Sequence, residues 1–445
     1  MRSSPFLPTY LLLSLLALLA CSDEDESTSA PPSNTAGGSS QAGSGGSSAG
    51  SGGTSAGSGG TSAGSGGTDA GNGGSPAGSG GDGGAAGNAG LGGQAGNGGA
   101  AGSGGGITCL PPDAYSKVLT LQASSPLCVT RVYKTPLSSF GFAFAATWGR
   151  HGGPLSTDTS SGAEVRRWQV PQDPQGAMTS EAPVKVKIDG LPEKIFFGPA
   201  LDIPFQNWTL ISYTGSSPEF AGEVIAMDSQ LTEVKARNPV NGWFAATALP
   251  GATDRVVFTA LSPVLTAPSN TSDNGLYYVE PCNATAILKA GCGASGKLGG
   301  WESNSGPVAV DEAGHLFAAL STFGGNQQVR AFLPAQAAGS TLVEGLTILT
   351  NTDFSTSLAA LGNPDGKGGH LVVQSSDSTT FAAKPAQLFS YTVSNGKMSA
   401  TALGEGGFSA KAAGASPVVF SSGDGRLWVA TDGEDGAYFV VLERK

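Results

Sequence analysis

An all-β fold built from repeated four-stranded units is what residues 107–445 predict, on three observations. First, the apolar stretches are four to six residues long, are bounded by Gly, Pro, Asn or Asp, and include no helix-length amphipathic run. Second, one hairpin pattern recurs: Arg255-Val-Val-Phe258, His315-Leu-Phe-Ala318, His370-Leu-Val-Val373 and Arg426-Leu-Trp-Val429 lie 60, 55 and 56 residues apart. Third, each of these strands has short apolar neighbours before and after it, which brings the unit to four strands. Four antiparallel strands every 50–60 residues is the signature of a β-propeller, because one such sheet covers its faces only by packing radially against its neighbours.

The chain precedes this region with two segments of other character. Arg2 followed by the short apolar run Leu11–Ala20 is too short to span a bilayer and is expected to be an export signal, residues 1–20. Leu18-Leu-Ala-Cys21 resembles the bacterial lipobox. The resemblance implies that Cys21 becomes the acylated first residue of a mature lipoprotein held in the membrane lipid of a bacterial cell envelope. Ser22 points to the outer membrane or cell surface, and the acidic run Asp23–Glu26 leaves inner against outer membrane open. Residues 21–106 are then almost wholly Gly, Ser, Ala, Asn and Thr, falling into Gly-rich heptads from Ala42. No apolar a/d pair supports a coiled coil, and so much Gly opposes a helix. A disordered linker is expected, with a root-mean-square reach of about 45–50 Å for roughly 75 residues.

The net charge is −11, and the linker holds six acids and no base. The folded region keeps 28 acids against 22 bases without a cluster of Lys or Arg, which argues against a nucleic-acid partner.

Within residues 107–445 the strands can be set out in order. Phe142–Ala146 and Trp208–Ser212 are expected strands of the first two units. Phe244–Thr247, Arg255–Phe258 and Leu276–Val279 belong to the next, and Pro307–Leu320 is the clearest hairpin, followed by Gln328–Phe332 and Leu346–Leu349. Leu358–Leu361, His370–Val373, Leu388–Tyr391 and Met398–Leu403 form another unit, with a type I′ turn at Asn395-Gly396. The last unit, Pro417–Phe420, Arg426–Val429 and Tyr438–Leu442, lacks a fourth strand, and Val118–Gln122 is expected to supply it and close the ring. Six blades is the expected number and seven the alternative; two tandem β-sandwiches would explain the strands but not the late period.

Two hairpins carry a resemblance. Pro307-Val-Ala-Val-Asp-Glu-Ala-Gly-His-Leu-Phe-Ala318 resembles the blade hairpins of NHL and lactonase-type propellers. Ser421-Ser-Gly-Asp-Gly-Arg-Leu-Trp-Val-Ala-Thr-Asp432 resembles those of two-component-regulator propellers. Each covers a dozen residues and implies architecture only, since propellers host unrelated functions.

Four cysteines follow Cys21, and in an exported chain they point to disulfides with three possible connectivities. Proximity favours Cys109–Cys128 and Cys282–Cys292. Their spacing suits no zinc site, so no metal is expected.

Motifs with chemistry are few. Gly291-Cys-Gly-Ala-Ser-Gly-Lys297 matches the start of a P-loop, but Leu298 stands where the magnesium-binding hydroxyl belongs, and an inter-blade loop is expected there. Ser394-Asn-Gly-Lys397 and Ser272-Asp-Asn274 match two motifs of penicillin-binding enzymes in reversed order, the first on a hairpin turn rather than a helix. His151, His315 and His370 are dispersed; the latter two share a blade position and are expected to be structural turn residues, with a His-lined channel as the alternative. Asn363–Gly366 and Asp432–Gly436 are expected to be solvated turns, too short for a calcium loop. Arg150–Asp158 after Trp148 is expected to be a long polar loop able to meet sugars or peptides.

With no catalytic set and no cofactor motif in view, the expectation is a surface-displayed lipoprotein whose propeller is a binding module for a protein or glycan. The alternative is an exported propeller hydrolase or lactonase whose carboxylates and histidines meet at the central channel.

Overall fold

A computed structural model describes residues 107–140, 145–158, 164–174, 176–185, 195–203, 208–215, 223–238, 243–249, 255–260, 275–279, 295–300, 304–321, 327–339, 345–351, 353–380, 382–403, 407–411 and 417–445. The signal, Cys21, the linker, Cys282 and Cys292 lie outside these residues.

Six antiparallel sheets make a six-bladed β-propeller. Strands β1 (Leu119–Leu121) and β2 (Leu127–Lys134) precede the first blade. Blade 1 holds β3 (Ala145–Trp148), β4 (Pro154–Asp158) and β5 (Glu164–Gln169), with the short β6 (Thr179–Ser180) and β7 (Val184–Lys185) both paired to β5. Blade 2 is β8 (Ile195–Ile203), β9 (Trp208–Gly215), β10 (Glu223–Asp228) and β11 (Val234–Asn238). Blade 3 is β12 (Trp243–Ala248), β13 (Val256–Ala260), β14 (Gly275–Val279) and β15 (Ser295–Gly300). Blade 4 is β16 (Asn304–Val310), β17 (Leu316–Ser321), β18 (Gln327–Phe332) and β19 (Leu346–Asn351), with the single helical turn α1 (Pro334–Ala337) before its last strand. Blade 5 is β20 (Phe354–Gly362), β21 (Gly368–Ser376), β22 (Gln387–Ser394) and β23 (Lys397–Ala402). After β24 (Phe408–Ala410), blade 6 is β25 (Val418–Ser421), β26 (Leu427–Gly433), β27 (Gly436–Arg444) and, outermost, β2.

The strand patterns follow from where each strand sits. Inner strands are covered on both faces by neighbouring blades, so β20 and β21 read as nearly continuous apolar runs, Leu358–Leu361 and Leu371–Val373, all buried. The outermost strand β23 meets solvent and alternates between exposed and half-buried residues. Near the axis the blades crowd, and small residues recur on the innermost strands: Ala145-Ala146, Ala245-Ala246 and Ala359-Ala360. The cores lie between the blades. Between blades 4 and 5, Phe317, Val329 and Ala331 meet Leu358, Leu371, Val373, Phe389 and Tyr391. Between blades 3 and 4, Val257, Leu276, Tyr278 and Leu298 meet Val308, Leu316 and Phe332. Asn395 (φ 52°) and Gly396 (φ 68°) make the expected type I′ turn, in which Ser394 pairs with Lys397.

An N-terminal strand closes the ring, as expected, but it is not the one expected. Val118–Gln122 is not the fourth strand of blade 6; β1 within it pairs with β24, and β2 closes the ring by pairing along β27 from Leu127↔Arg444 to Lys134↔Tyr438. The longer ladder explains the outcome: β2 offers eight residues against three, and only its fifth and last residues escape burial. A bulge between Val129 and Arg131 breaks its period-two alternation, which hides it from pattern reading. Cys109 and Cys128 are bonded, so the disulfide ties the segment before β1 to the closing strand itself.

The seam between blade 6, which holds both ends of the domain, and blade 1 is aromatic. The Trp428 ring lies 5.0 Å from Trp148, 5.9 Å from Tyr133 and 6.3 Å from Phe420, while Phe439 lies 5.1 Å from Phe140 and 5.3 Å from Trp168. These rings bury a large area where the chain passes from β2 of blade 6 into blade 1.

Candidate functional site

The inner strands β3, β8, β12, β16, β20 and β25 surround a central channel of about 840 Å³. Much of its wall is small and neutral, including Ala145, Thr147, Ala245, Thr247, Val308, Thr356 and Val418, with the aromatic residues Trp148, Phe354 and Phe420 also in the lining. Hydroxyls in and behind the wall are used to join blades. Thr147 Oγ1 donates to the Ala200 carbonyl at 2.7 Å and Thr259 Oγ1 to Gly306 at 2.8 Å. Ser357 Oγ donates to Pro417 at 3.2 Å and accepts the Val419 N–H at 2.9 Å.

All innermost strands run the same way along the axis, so residues at their C-terminal ends gather at one mouth. Arg150, Asp202, Asp311, Glu312 and Asp424, scattered over 275 positions of sequence, meet the channel there. The Arg150 backbone N–H donates to Asp202 Oδ2 at 2.8 Å and its guanidinium to the Trp208 carbonyl at 2.8 Å, while Thr209 Oγ1 donates to Asp202 Oδ1 at 2.6 Å. Loss of hydration pulls the Arg150 pKa down, partly opposed by the Asp202 charge. Asp424 is paired with Arg426 at 2.8 Å.

Glu312 is the carboxylate that reaches furthest. It is exposed at the rim, and it accepts the Gly362 N–H of blade 5 at 2.5 Å and the Gly425 N–H of blade 6 at 3.3 Å. The surrounding protein removes enough hydration to push its pKa up, against the backbone N–H groups that favour the charged form.

Behind Glu312 lies a buried polar cluster. Asp311 is 2 % exposed, and its Oδ1 accepts the backbone N–H groups of Ala313 (3.0 Å) and His315 (2.8 Å). Its Oδ2 meets His315 Nδ1 at 2.7 Å and accepts the Tyr391 hydroxyl of blade 5 at 2.6 Å. Burial works to raise the Asp311 pKa, but the hydrogen bonds from His315 and Tyr391 outweigh it and hold the carboxyl below its ordinary value. Burial, with the Asp311 charge next, drives the Tyr391 hydroxyl well above its ordinary value. The Asp311 turn, with Gly314 at φ 87°, thus also welds blade 4 to blade 5.

The dispersed histidines do not meet. His315 is enclosed in this cluster. His370 lies on β21 beside Arg444, its pKa lowered by burial and then by that charge, and Nδ1 makes no hydrogen bond among the described residues. His151 stands against the Trp168 carbonyl at 3.1 Å, with burial lowering its pKa. None of the three is among the channel-lining residues, and among the described residues no group of three or more His, Cys, Asp or Glu gathers as metal ligands.

Other sequence expectations need correction. Arg150–Asp158 is no long loop: a tight turn closed by Gly149 N–H to Gly153 O at 2.8 Å leads into strand β4, and Trp148 packs on Trp428 while also lining the channel. Ser295–Gly300, the end of the P-loop-like stretch, is the outer strand β15 rather than a loop. Asp432 and Asp435 are not merely solvated. Asp432 accepts from Ser139 Oγ (2.5 Å) and the Phe140 N–H (2.9 Å), and Asp435 pairs with Lys134 at 2.9 Å, tying the β26–β27 turn to the chain after β2. The mouth residues Asp202 and Glu312 escaped sequence reading because no local motif marks them. The one available signal was their place at the ends of inner strands.

No protein-family model matches the chain, and no curated protein matches it in sequence. Among solved structures it is similar to the PQQ-bound aldose sugar dehydrogenase of Streptomyces coelicolor, with 12 % identity over 73 % of this chain and 99 % of that one, TM-score 0.45. It is also similar to a protein of unknown function from Dyadobacter fermentans (11 %, 72 % and 100 %, TM-score 0.43) and to a Hadza microbial sialidase (14 %, 68 % and 66 %, TM-score 0.40).

Proposed function

We propose that this chain is an exported lipoprotein, acylated at Cys21, whose linker of residues 21–106 holds a propeller at the bacterial surface as a binding module. The observation that carries the binding role is the channel: a largely small, neutral wall with fixed groups of both signs, Arg150, Asp202, Glu312 and Asp424, collected at one mouth. Such a rim offers donors and acceptors already held in place by neighbouring blades, which suits a polar protein or glycan ligand and lowers the entropy lost on binding.

The test uses the full-length protein on glycan and peptide arrays. A ligand found there should be lost in an Arg150→Ala, Glu312→Gln double variant that keeps the wild-type urea midpoint; retention would remove the mouth from the proposal. The anchor is tested separately. Cys21→Ser should move the protein from the membrane to the soluble fraction, and continued partition with lipid would refute acylation there. One observation favours the hydrolase reading: lost hydration pushes the Glu312 pKa up, the direction that suits a general acid. Turnover of lactones or esters abolished by Glu312→Gln alone would establish it over binding.

A further inference from the structure

The domain begins with a strap that touches the ring twice before blade 1 starts. Tyr115, Val118 and Leu119 are buried in the core between blades 5 and 6, β1 pairs with β24, and the Lys411 N–H donates to the Val118 carbonyl at 2.9 Å. The chain then turns and enters β2, which closes blade 6. Cys109 lies before the strap and Cys128 at the second residue of β2, so the bond joins the near end of one attachment to the near end of the other.

We infer that the Cys109–Cys128 disulfide makes the strap and the closing strand a single clasp, loading them in parallel when the preceding chain is pulled. Without the bond the two attachments stand in series. Tension entering at residue 107 would meet the single bond from the Leu110 N–H to the Val129 carbonyl (2.7 Å) and then β1, whose three ladder residues would peel before the rest of β2 was loaded. With the bond, tension divides at Cys109: one branch runs to β1, the other crosses the two sulfurs directly to Cys128. Neither lengthens the chain by yielding alone. The same bond turns a strap that would fray as a free end into a loop closed at both ends, which cuts the entropy gained by opening it. The arrangement suits a domain held by its N-terminal side against a partner on its ring. That use rests on the tethered reading above, but the clasp does not.

The test is force spectroscopy on the full mature protein, with one handle at the N-terminus and one at an azide-bearing residue at position 365. That position lies in the exposed turn between β20 and β21. In Cys109→Ser, and in wild type after a thiol reductant, an early low-force step of roughly 60 Å is expected, from the residues spanning the 19-position separation of the bond. Oxidised wild type should lack it. Amide exchange supplies a second readout that needs no handle: protection at Leu119–Leu121 should fall at least about tenfold on breaking the bond, while the middle of β2 changes less. Absence of the early step in Cys109→Ser, or unchanged strap protection, would overturn the inference. Neither result bears on Cys21, and failure of membrane anchoring would leave both unaffected.

Discussion

Tyr391→Phe isolates one hydrogen bond in the cluster that joins blades 4 and 5. The hydroxyl donates to Asp311 Oδ2 at 2.6 Å, and both residues are buried, at 1 % and 2 % exposure. Hydrogen bonds to charged groups contribute about 1.5–3 kcal/mol. Asp311 keeps the Ala313 and His315 N–H groups and the His315 ring, so the loss should sit at the lower end, about 1.5–2 kcal/mol. The ring itself stays, preserving its packing 5.0 Å from Phe317. The assay is the urea midpoint of wild type and variant, followed by tryptophan fluorescence from pH 7 downwards. The sign follows from the depressed Asp311 pKa: the stabilisation is present above the unfolded carboxyl value of about 3.9 and is lost as pH falls through the lower folded value. The variant, missing one of the bonds that hold that pKa down, should therefore converge on wild type in acid. A difference that persists unchanged through the acid range, or no difference at pH 7, would refute a carboxylate acceptor as the source of the effect.

Trp428→Ala should destabilise the seam between blades 6 and 1 by about 3–5 kcal/mol, read from the same urea midpoints; its indole nitrogen makes no hydrogen bond among the described residues, so packing alone is removed. His370 has a folded pKa below its ordinary value, so the unfolded chain takes up its proton first and stability falls as pH drops below about 6.5, until the folded value is passed. His370→Gln should flatten the urea midpoint over that window, and an identical slope in the variant would assign the loss to other groups.

Much of the strand pattern was legible because it is local. Alternating burial, Asp-Gly turns and the Asn395-Gly396 type I′ signal act over a few residues, and the recurrence near 56 positions exposes a repeated sheet without any contact being known. The pairing of Cys109 with Cys128 was legible for the same reason, being close in sequence. What failed involved a choice between competing partners. Val118–Gln122 has the look of a closing strand, but the longer β2 takes the edge of β27, and β1 is left to a linker strand. Trp148 lines the channel, and its packing on Trp428 of the adjacent blade could not be read from its own polar stretch.

The sequence by itself determined an all-β chain of repeated hairpins with Asp311 and Gly314 as turn residues, since turn chemistry and strand burial are properties of short segments. Only the tertiary structure decided that Asp311 would also bind Tyr391 of the next blade, 80 residues on, and that Arg150, Asp202, Glu312 and Asp424 would share one mouth. The reason is geometric: radial packing sends every inner strand the same way along one axis, so positions remote in the chain become neighbours at its end.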